Sequence, residues 1–404
     1  MTAPVSASDR PDSLPVLRLK PKANARAIRR GAPWVFENEL VMDRRSRKIE
    51  PGSFAVLEDN DRQAIGVVAV NPNSKIVARM LDRNPLAVID RDWLFDKLTK
   101  AVSMRDRLYD APFYRLIHAE GDGLPGVVID RFGDTAVIQP NAAWADRVID
   151  DMASALMAAT GVANVLKNAS GRGRALEGLD DQNAVLIGSA PEAPLPVQMN
   201  GATYMADLTG GQKTGLFFDQ RENHGFAARL AYEASVLDVF SHVGGFALAA
   251  LAGGAKSAMA VDGSAPALEL AAQGAAQMGK VLDTRQGDAF DVMTDLAAKG
   301  RKFDVVICDP PAFAPNKPAL DKGLRAYERV ARLATALVKE DGYLVLCSCS
   351  HAADVTAFTG ACLRGIGRAG RRAQLLHTGY AGPDHPLLPQ LAESGYLKAL
   401  FFRL

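Results

Sequence analysis

From about residue 200 onward, short apolar runs alternate with stretches of helical periodicity. Strands are expected at 236–240, 257–261, 284–286, 305–308 and 343–347, and helices at 245–251, 266–278, 290–298, 324–338 and 353–365. An alternation of this kind predicts a mostly parallel sheet covered by helices. The end breaks the rhythm: 373–377 and 396–402 both read as strands with no helix between them, which predicts a terminal antiparallel pair. Open α/β sheets bind ligands outside the carboxyl ends of their strands. Residues just past each strand are therefore the ones to inspect.

Two of those ends carry chemistry. Phe303-Asp304-Val305-Val306-Ile307-Cys308 runs into Asp309-Pro310-Pro311-Ala312-Phe313, and Leu344-Val345-Leu346-Cys347 runs into Ser348-Cys349-Ser350. An acid on a proline-stiffened turn and a thiol thus reach one edge. A thiol in such a place can bond covalently to a substrate carbon. Cys347 lies two residues before Cys349, so both point to one face if the strand persists. Cys347, Cys308 and Cys362 read as small packing residues.

A third constellation lies at the first strands. Val236-Leu237-Asp238-Val239-Phe240-Ser241-His242-Val243-Gly244-Gly245-Phe246 reads as strand, turn and helix start, with glycines that admit close backbone approach. It lacks the G-x-G-x-x-G of a dinucleotide site. Asp262 ends the next strand, where an acid can accept from ribose hydroxyls, and Asp288 follows the third, where it could read an adenine amino group. Asp238, Asp262 and Asp288 at successive strand ends match an adenosine ligand without phosphates. Each acid alone is more often a loop residue or helix cap.

With 404 residues the chain exceeds one ordinary core, and about two or three domains are expected. Residues 1–82 read as a β-rich module behind a flexible lead (1–14), 83–195 as a small α+β domain ending in a proline-rich linker near 190–200, and 196–404 as the α/β domain. A helix is expected over 90–109 and another over 144–159. No apolar run is long enough for a membrane span, and neither the cysteines nor the histidines have metal-ligand spacing, so no metal is assigned. The cysteine usage fits a reduced, cytoplasmic protein. Net charge is +1, but the first fifty residues hold a basic excess that includes Arg18, Lys20, Lys22, Arg26, Arg29, Arg30, Arg44, Arg45 and Arg47. That suits a phosphate-binding face or a solvated surface equally.

Several segments carry a family resemblance. Leu237 to Ala247 resembles the first motif of the bacterial ribosomal large-subunit 5-methylcytosine methyltransferases of the RlmI type. So does Lys213-Thr214-Gly215-Leu216-Phe217-Phe218-Asp219-Gln220-Arg221-Glu222-Asn223, a stretch that family places beside its cofactor. The run from Asp122 to Gly133 and the closing Asp384-His385-Pro386 look similar too, and Arg30 to Phe36 is similar to its PUA domain, a small RNA-binding β-barrel. The resemblance covers nearly the whole chain. It implies a Rossmann-like seven-stranded methyltransferase sheet at the C-terminus, a PUA-like barrel at the N-terminus and an α+β middle domain. It also implies S-adenosyl-L-methionine as cofactor, held by Asp219, Gln220, Arg221, Asp238, Ser241, Gly244, Asp262, Asp288 and Asp309, and 23S ribosomal RNA as partner. A homodimer is a candidate assembly.

The implied chemistry needs a thiolate that adds to carbon 6 of cytosine, so that carbon 5 can accept a methyl group. Cys349 is the expected nucleophile, with Asp309 against the base or the cofactor amine. One departure stands out. Another group of RNA 5-methylcytosine enzymes carries a second cysteine after the corresponding proline, and here that place is Pro311-Ala312. Asp309, His351 or a water would then have to serve product release. Two other functions remain open: methylation of a guanine nitrogen without a thiol, and a non-catalytic RNA-binding assembly factor.

Overall fold

The computed structural model describes residues 14–210 and 215–404. Residues 1–13 of the expected flexible lead and the Lys213-Thr214 start of the cofactor-side motif lie outside the described residues. The chain divides into two compact units, one reaching to Ala190 and including Asp384–Ser394, the other Pro191–Pro383 with Gly395–Leu404.

The first unit holds two five-stranded sheets. One is built from Val16–Arg18, Ser53–Glu58, Ala64–Val70, Ile76–Asp82 and Trp34–Phe36, in that order. Its apolar residues turn inward, with Leu17, Val35, Leu57, Val68 and Val77 fully buried together. A bridge between Leu19 and Leu40 brings the chain beyond one edge strand back to the other edge, so the sheet curls into a small barrel. The second sheet runs Ala184–Ile187, Asn164–Lys167, Thr135–Pro140, Val127–Phe132, Phe113–His118 and packs with the helices Arg91–Arg105 and Ile149–Thr160. The helix expected over 144–159 is two, Ala143–Arg147 and Ile149–Thr160, because Val148 leaves the helical backbone (φ −105°, ψ 24°).

Side chains tie the barrel to this second sheet. Buried Glu177 accepts from Asn71 Nδ2 (2.9 Å), Ser74 Oγ (2.8 Å) and Arg79 Nη2 (3.0 Å), and Trp34 Nε1 donates to Glu120 (2.8 Å). Asp384 and His385 also serve this unit: Arg115 N donates to Asp384 Oδ2 (3.0 Å), and the His118 and His385 rings lie 4.8 Å apart.

The second unit opens with a hairpin, Leu195–Met199 against Ala202–Ala206, where a linker was expected. The boundary between the two units, at Ala190 and Pro191, falls inside the window expected for that linker, and the hairpin follows directly on it. A proline is tolerated on a two-stranded ribbon because each strand has one unpaired edge. The main sheet has seven strands: β1 Ser235–Val239, β2 Ser257–Asp262, β3 Asp283–Gln286, β4 Phe303–Cys308, β5 Val338–Ser348, β6 Gln374–Gly379 and β7 Lys398–Arg403. Their order is β3-β2-β1-β4-β5-β7-β6, with β7 antiparallel to both neighbours, as the helix-free ending predicts. Among the described residues six helices accompany them: α1 Arg221–Leu230, α2 Gly245–Ala252, α3 Ala265–Gln277, α4 Ala289–Ala298, α5 Leu320–Thr335 and α6 Val355–Arg368. Helix α5 shows why such segments fold: Tyr327, Val330, Ala331 and Ala334 form one buried face, while Arg325, Arg329 and Arg332 lie outside it. Among the described residues, no helix is long and apolar enough to cross a membrane.

Candidate active site

Sheet register places the expected residues. Val261 of β2 pairs with Val239 of β1, Val239 with Cys308 of β4, and Cys308 with Leu346 of β5. One residue past that row stand Asp262, Phe240, Asp309 and Cys347. Asp238 stands one residue before it.

The turn after β1 is strained. Phe240 (φ 63°), His242 (φ 49°) and Gly244 (φ 81°) all adopt left-handed backbone. That conformation costs a non-glycine residue roughly 1–2 kcal/mol and clusters at functional sites. Asp262 offsets part of it, since its Oδ2 accepts from His242 N (2.8 Å) and its Oδ1 from Ser264 N (2.9 Å). At Gly245 a side chain would meet His224 Nε2 at 2.7 Å, so that glycine answers to a protein contact.

Asp238 is fully buried and accepts from Ala247 N through Oδ2 (2.9 Å). Its Oδ1 and the buried Ser241 Oγ have no partner among the described residues. Buried polar atoms of this kind ask for a hydrogen-bond partner, and two at the head of β1 suit a polar ligand seated on this turn. Burial pushes the Asp238 carboxyl up to about 8, and the nearby charges of Asp309 and Asp262 add to the rise. Asp288 is exposed and caps α4, its Oδ1 accepting from Phe290 N (2.9 Å) and Asp291 N (3.2 Å). Beside it Phe240, Phe290 and Phe313 gather with ring centroids 6.3–6.5 Å apart, an apolar wall that a planar base could lie against. The strand-end acids are marked in the sequence by the apolar runs before them; these aromatics lie on three separate segments that no local pattern links.

Gln220 joins two halves of the site. Its Nε2 donates to Asp309 Oδ2 (2.9 Å), its Oε1 accepts from Asn223 Nδ2 (2.6 Å), and its side chain also hydrogen-bonds the Cys347 thiol. Asp309 N donates to Val239 O (3.2 Å), which pins the proline turn to β1. Asp219 Oδ2 accepts from the Tyr396 hydroxyl (2.6 Å). Arg221 is buried with its guanidinium 5.7 Å from the Phe218 ring centre, and its carbonyl accepts from Asn200 Nδ2 (2.8 Å).

The four cysteines separate clearly. Cys308, Cys347 and Cys362 are buried, whereas Cys349 is half-buried on the tip just past β5. Burial pushes the three enclosed thiols up, Cys347 well above its ordinary value, and so holds them protonated. A hydroxyl network frames the Cys349 tip. Ser348 Oγ donates to Tyr327 OH (2.9 Å), Tyr327 OH and Ser350 Oγ lie 2.7 Å apart, and Ala314 N donates to Ser350 Oγ (2.9 Å). Both serines are fully buried, so the residues on either side of Cys349 are anchored to α5 and to the proline turn. The flanking serines were visible in the sequence; their shared tyrosine was not.

Comparison with known proteins agrees with this architecture. Residues 17–83 match a family of PUA-like domains, and residues 153–403 match the S-adenosylmethionine-dependent methyltransferase family. The chain is similar to the ribosomal RNA large subunit methyltransferase I of Aliivibrio fischeri (strain MJ11), with 34% identity over 95% of this chain and 98% of that one. It is similar to the protein of the same name from Vibrio cholerae (serotype O1, strain O395), with 31% identity over 93% of this chain and 96% of the other. Among solved structures, a protein from Streptococcus mutans described as a SAM-dependent methyltransferase superposes with a TM-score of 0.80 at 18% identity, covering 97% of this chain and 100% of that one. At that identity the likeness speaks for the fold alone.

Proposed function

Because the chain belongs to the ribosomal RNA large subunit methyltransferase I family of S-adenosylmethionine-dependent methyltransferases, we propose that it methylates carbon 5 of a cytosine in 23S ribosomal RNA with Cys349 as nucleophile. The observation that carries this reading is the contrast among the thiols: Cys349 is the one cysteine of four that is not buried.

S-adenosylmethionine, when bound, supplies an electrophilic methyl group. Asp262 would accept from its ribose hydroxyls and Asp288 from its adenine amine, with Asp238 Oδ1 and Ser241 Oγ offering buried polar atoms on the Gly244 turn. Asp219, Gln220 and Arg221 would line the site from the segment before and into α1. The Cys349 thiolate would add to carbon 6, forming a sulfur–carbon bond and leaving carbon 5 nucleophilic. After methylation a base takes the carbon 5 proton, the sulfur–carbon bond breaks, and the thiolate returns. Asp309, oriented by Gln220, suits the exocyclic amine of the target base and the spreading of charge over the ring. In the barrel, Arg26, Arg30, Arg44, Arg45 and Lys48 are exposed and, among the described residues, form no ion pair with a carboxylate, which fits contact with RNA phosphates.

RNA carrying 5-fluorocytosine tests the chemistry, because fluorine cannot leave as a proton does. With cofactor present a denaturation-resistant protein–RNA adduct should form and map to Cys349. An adduct at Cys347 or Cys308 would move the nucleophile. Methyl transfer to ordinary RNA with no adduct, retained in Cys349→Ala, would point to a ring nitrogen.

A further inference from the structure

Lys398 at the start of β7 is a buried group that this mechanism leaves unused. It is 3% exposed, and its register partner across the sheet is Ser348, the residue before Cys349. Its ammonium donates to Ser350 O (2.6 Å) and to Tyr396 O (2.9 Å), and among the described residues no carboxylate forms an ion pair with it. Burying an ammonium without a carboxylate is costly. Two carbonyls satisfy two of its three donors but bring no negative charge. Of the charges around it, Cys349 favours the ammonium most, followed by Asp354, the residue that caps α6. Other ionisable groups near the tip include Tyr327 of α5, Cys347 at the end of β5, His351, whose ring lies 5.6 Å from that of Tyr396, and Asp309 past β4.

We propose that Lys398 is a positioning residue for Cys349: it fixes the Ser350 carbonyl, and with it the tip that bears the thiol, and it is the counter-charge of the thiolate. The proposal rests on the reading of Cys349 as nucleophile for its catalytic meaning, though the lysine–thiolate pairing can be measured without RNA. Burial lowers the ammonium to about 8, so near neutral pH it keeps its proton while remaining poorly solvated, the state in which a nearby anion benefits it most. The pairing also gives a reason for a lysine here: a neutral donor could hold the same two carbonyls but would offer the thiolate nothing.

The test is alkylation of the full-length protein with iodoacetamide across pH, with each cysteine followed by peptide mass spectrometry. The thiolate sulfur displaces iodide, so the rate reports the fraction of thiolate. In Lys398→Gln, Cys349 should react about tenfold more slowly at pH 7, with the rate–pH midpoint moved up, since an opposite charge at close range is worth about one unit or more. Lys398→Arg should stay near the parent. Cys308, Cys347 and Cys362 serve as fold reporters, because they label only if the core opens. Should Lys398→Gln label them, Lys398→Met, which keeps the apolar stem, takes its place. A folded Lys398→Gln or Lys398→Met with the parent's rate–pH curve overturns the proposal and leaves Lys398 a staple between two carbonyls. If that curve shifts while Cys349→Ser still methylates RNA, the pairing stands and the nucleophile assignment falls.

Discussion

Asp238 is an acid that the fold keeps in its protonated form. Its carboxyl is raised to about 8 by burial, against about 3.9 in an unfolded chain. The folded cofactor-free protein therefore holds a proton that the unfolded chain has lost, and the stability this contributes declines as pH rises toward about 8. Buried His118 and His224, lowered to about 2 and about 3, act in the opposite sense up to about pH 6.5. Replacing only Asp238 isolates its share: calorimetry of Asp238→Asn should show a stability gain over the parent that grows between about pH 5 and 8. Beyond the ribose contact proposed for it, Asp262 holds His242 N in its strained turn. Asp262→Ala should weaken S-adenosylmethionine binding by roughly 1.5–3 kcal/mol and lower the melting temperature as well. Unchanged affinity in a folded protein would remove it from the ribose role. For the thiols, Cys349→Ser should abolish turnover with cofactor affinity nearly unchanged. Cys347→Ser should keep activity and lose about 1–3 kcal/mol of stability, because a hydroxyl replaces a buried thiol.

Helices α5 and α6 show how an element apart from the chemistry can reach it. Gly365 of α6 faces α5 so closely that a side chain there would meet the Glu328 carbonyl, with Ala331 Cβ at 2.7 Å. Gly365→Ala should therefore cost about 1–3 kcal/mol through overpacking, more than the roughly 1 kcal/mol gained in helix propensity. Thermal unfolding checks this. Because α5 carries the Tyr327 hydroxyl that holds Ser348 and Ser350, a shifted α5 should also lower methyl-transfer rate while leaving cofactor affinity alone. At this scale the sequence was a good guide. Strand and helix periodicity placed α3, α4, β1 and β4 within a residue or two, since each buries one face and shows it locally. It failed where prolines mark an edge strand, as in Leu195–Met199, and where α1 follows the tertiary neighbours of Gln220 and Asn223 more than any apolar stripe.

For the molecule as a whole, binding of a polyanion should depend on the exposed arginines of the barrel. Arg18, Arg29 and Arg47 are engaged with Glu58, Asp59 and Glu37, which leaves Arg26, Arg30, Arg44 and Arg45 as the better candidates for RNA. Converting these four to glutamine should weaken RNA binding at all sequences and flatten its salt dependence by about one log unit per lost phosphate contact. A salt-independent affinity in the parent protein would count against this footprint. Side-chain substitution is the sounder probe, because removing the barrel would strip buried Glu177 of Asn71, Ser74 and Arg79.

The chain by itself determined the alternation of strands and helices, the antiparallel ending, and the acids and thiol that follow the strands. Those features are local: periodicity marks a buried face, and a strand's end is written in the few residues where the apolar run stops. Only the tertiary structure decided that Gln220 holds Asp309 across 89 residues, and that Lys398 is buried against Ser350 across 48. It also decided that Asp384–Ser394 belongs with the first unit, although the residues on both sides belong to the second. Such pairings depend on sheet register and loop path, which bring distant positions together without leaving a periodic trace in either segment.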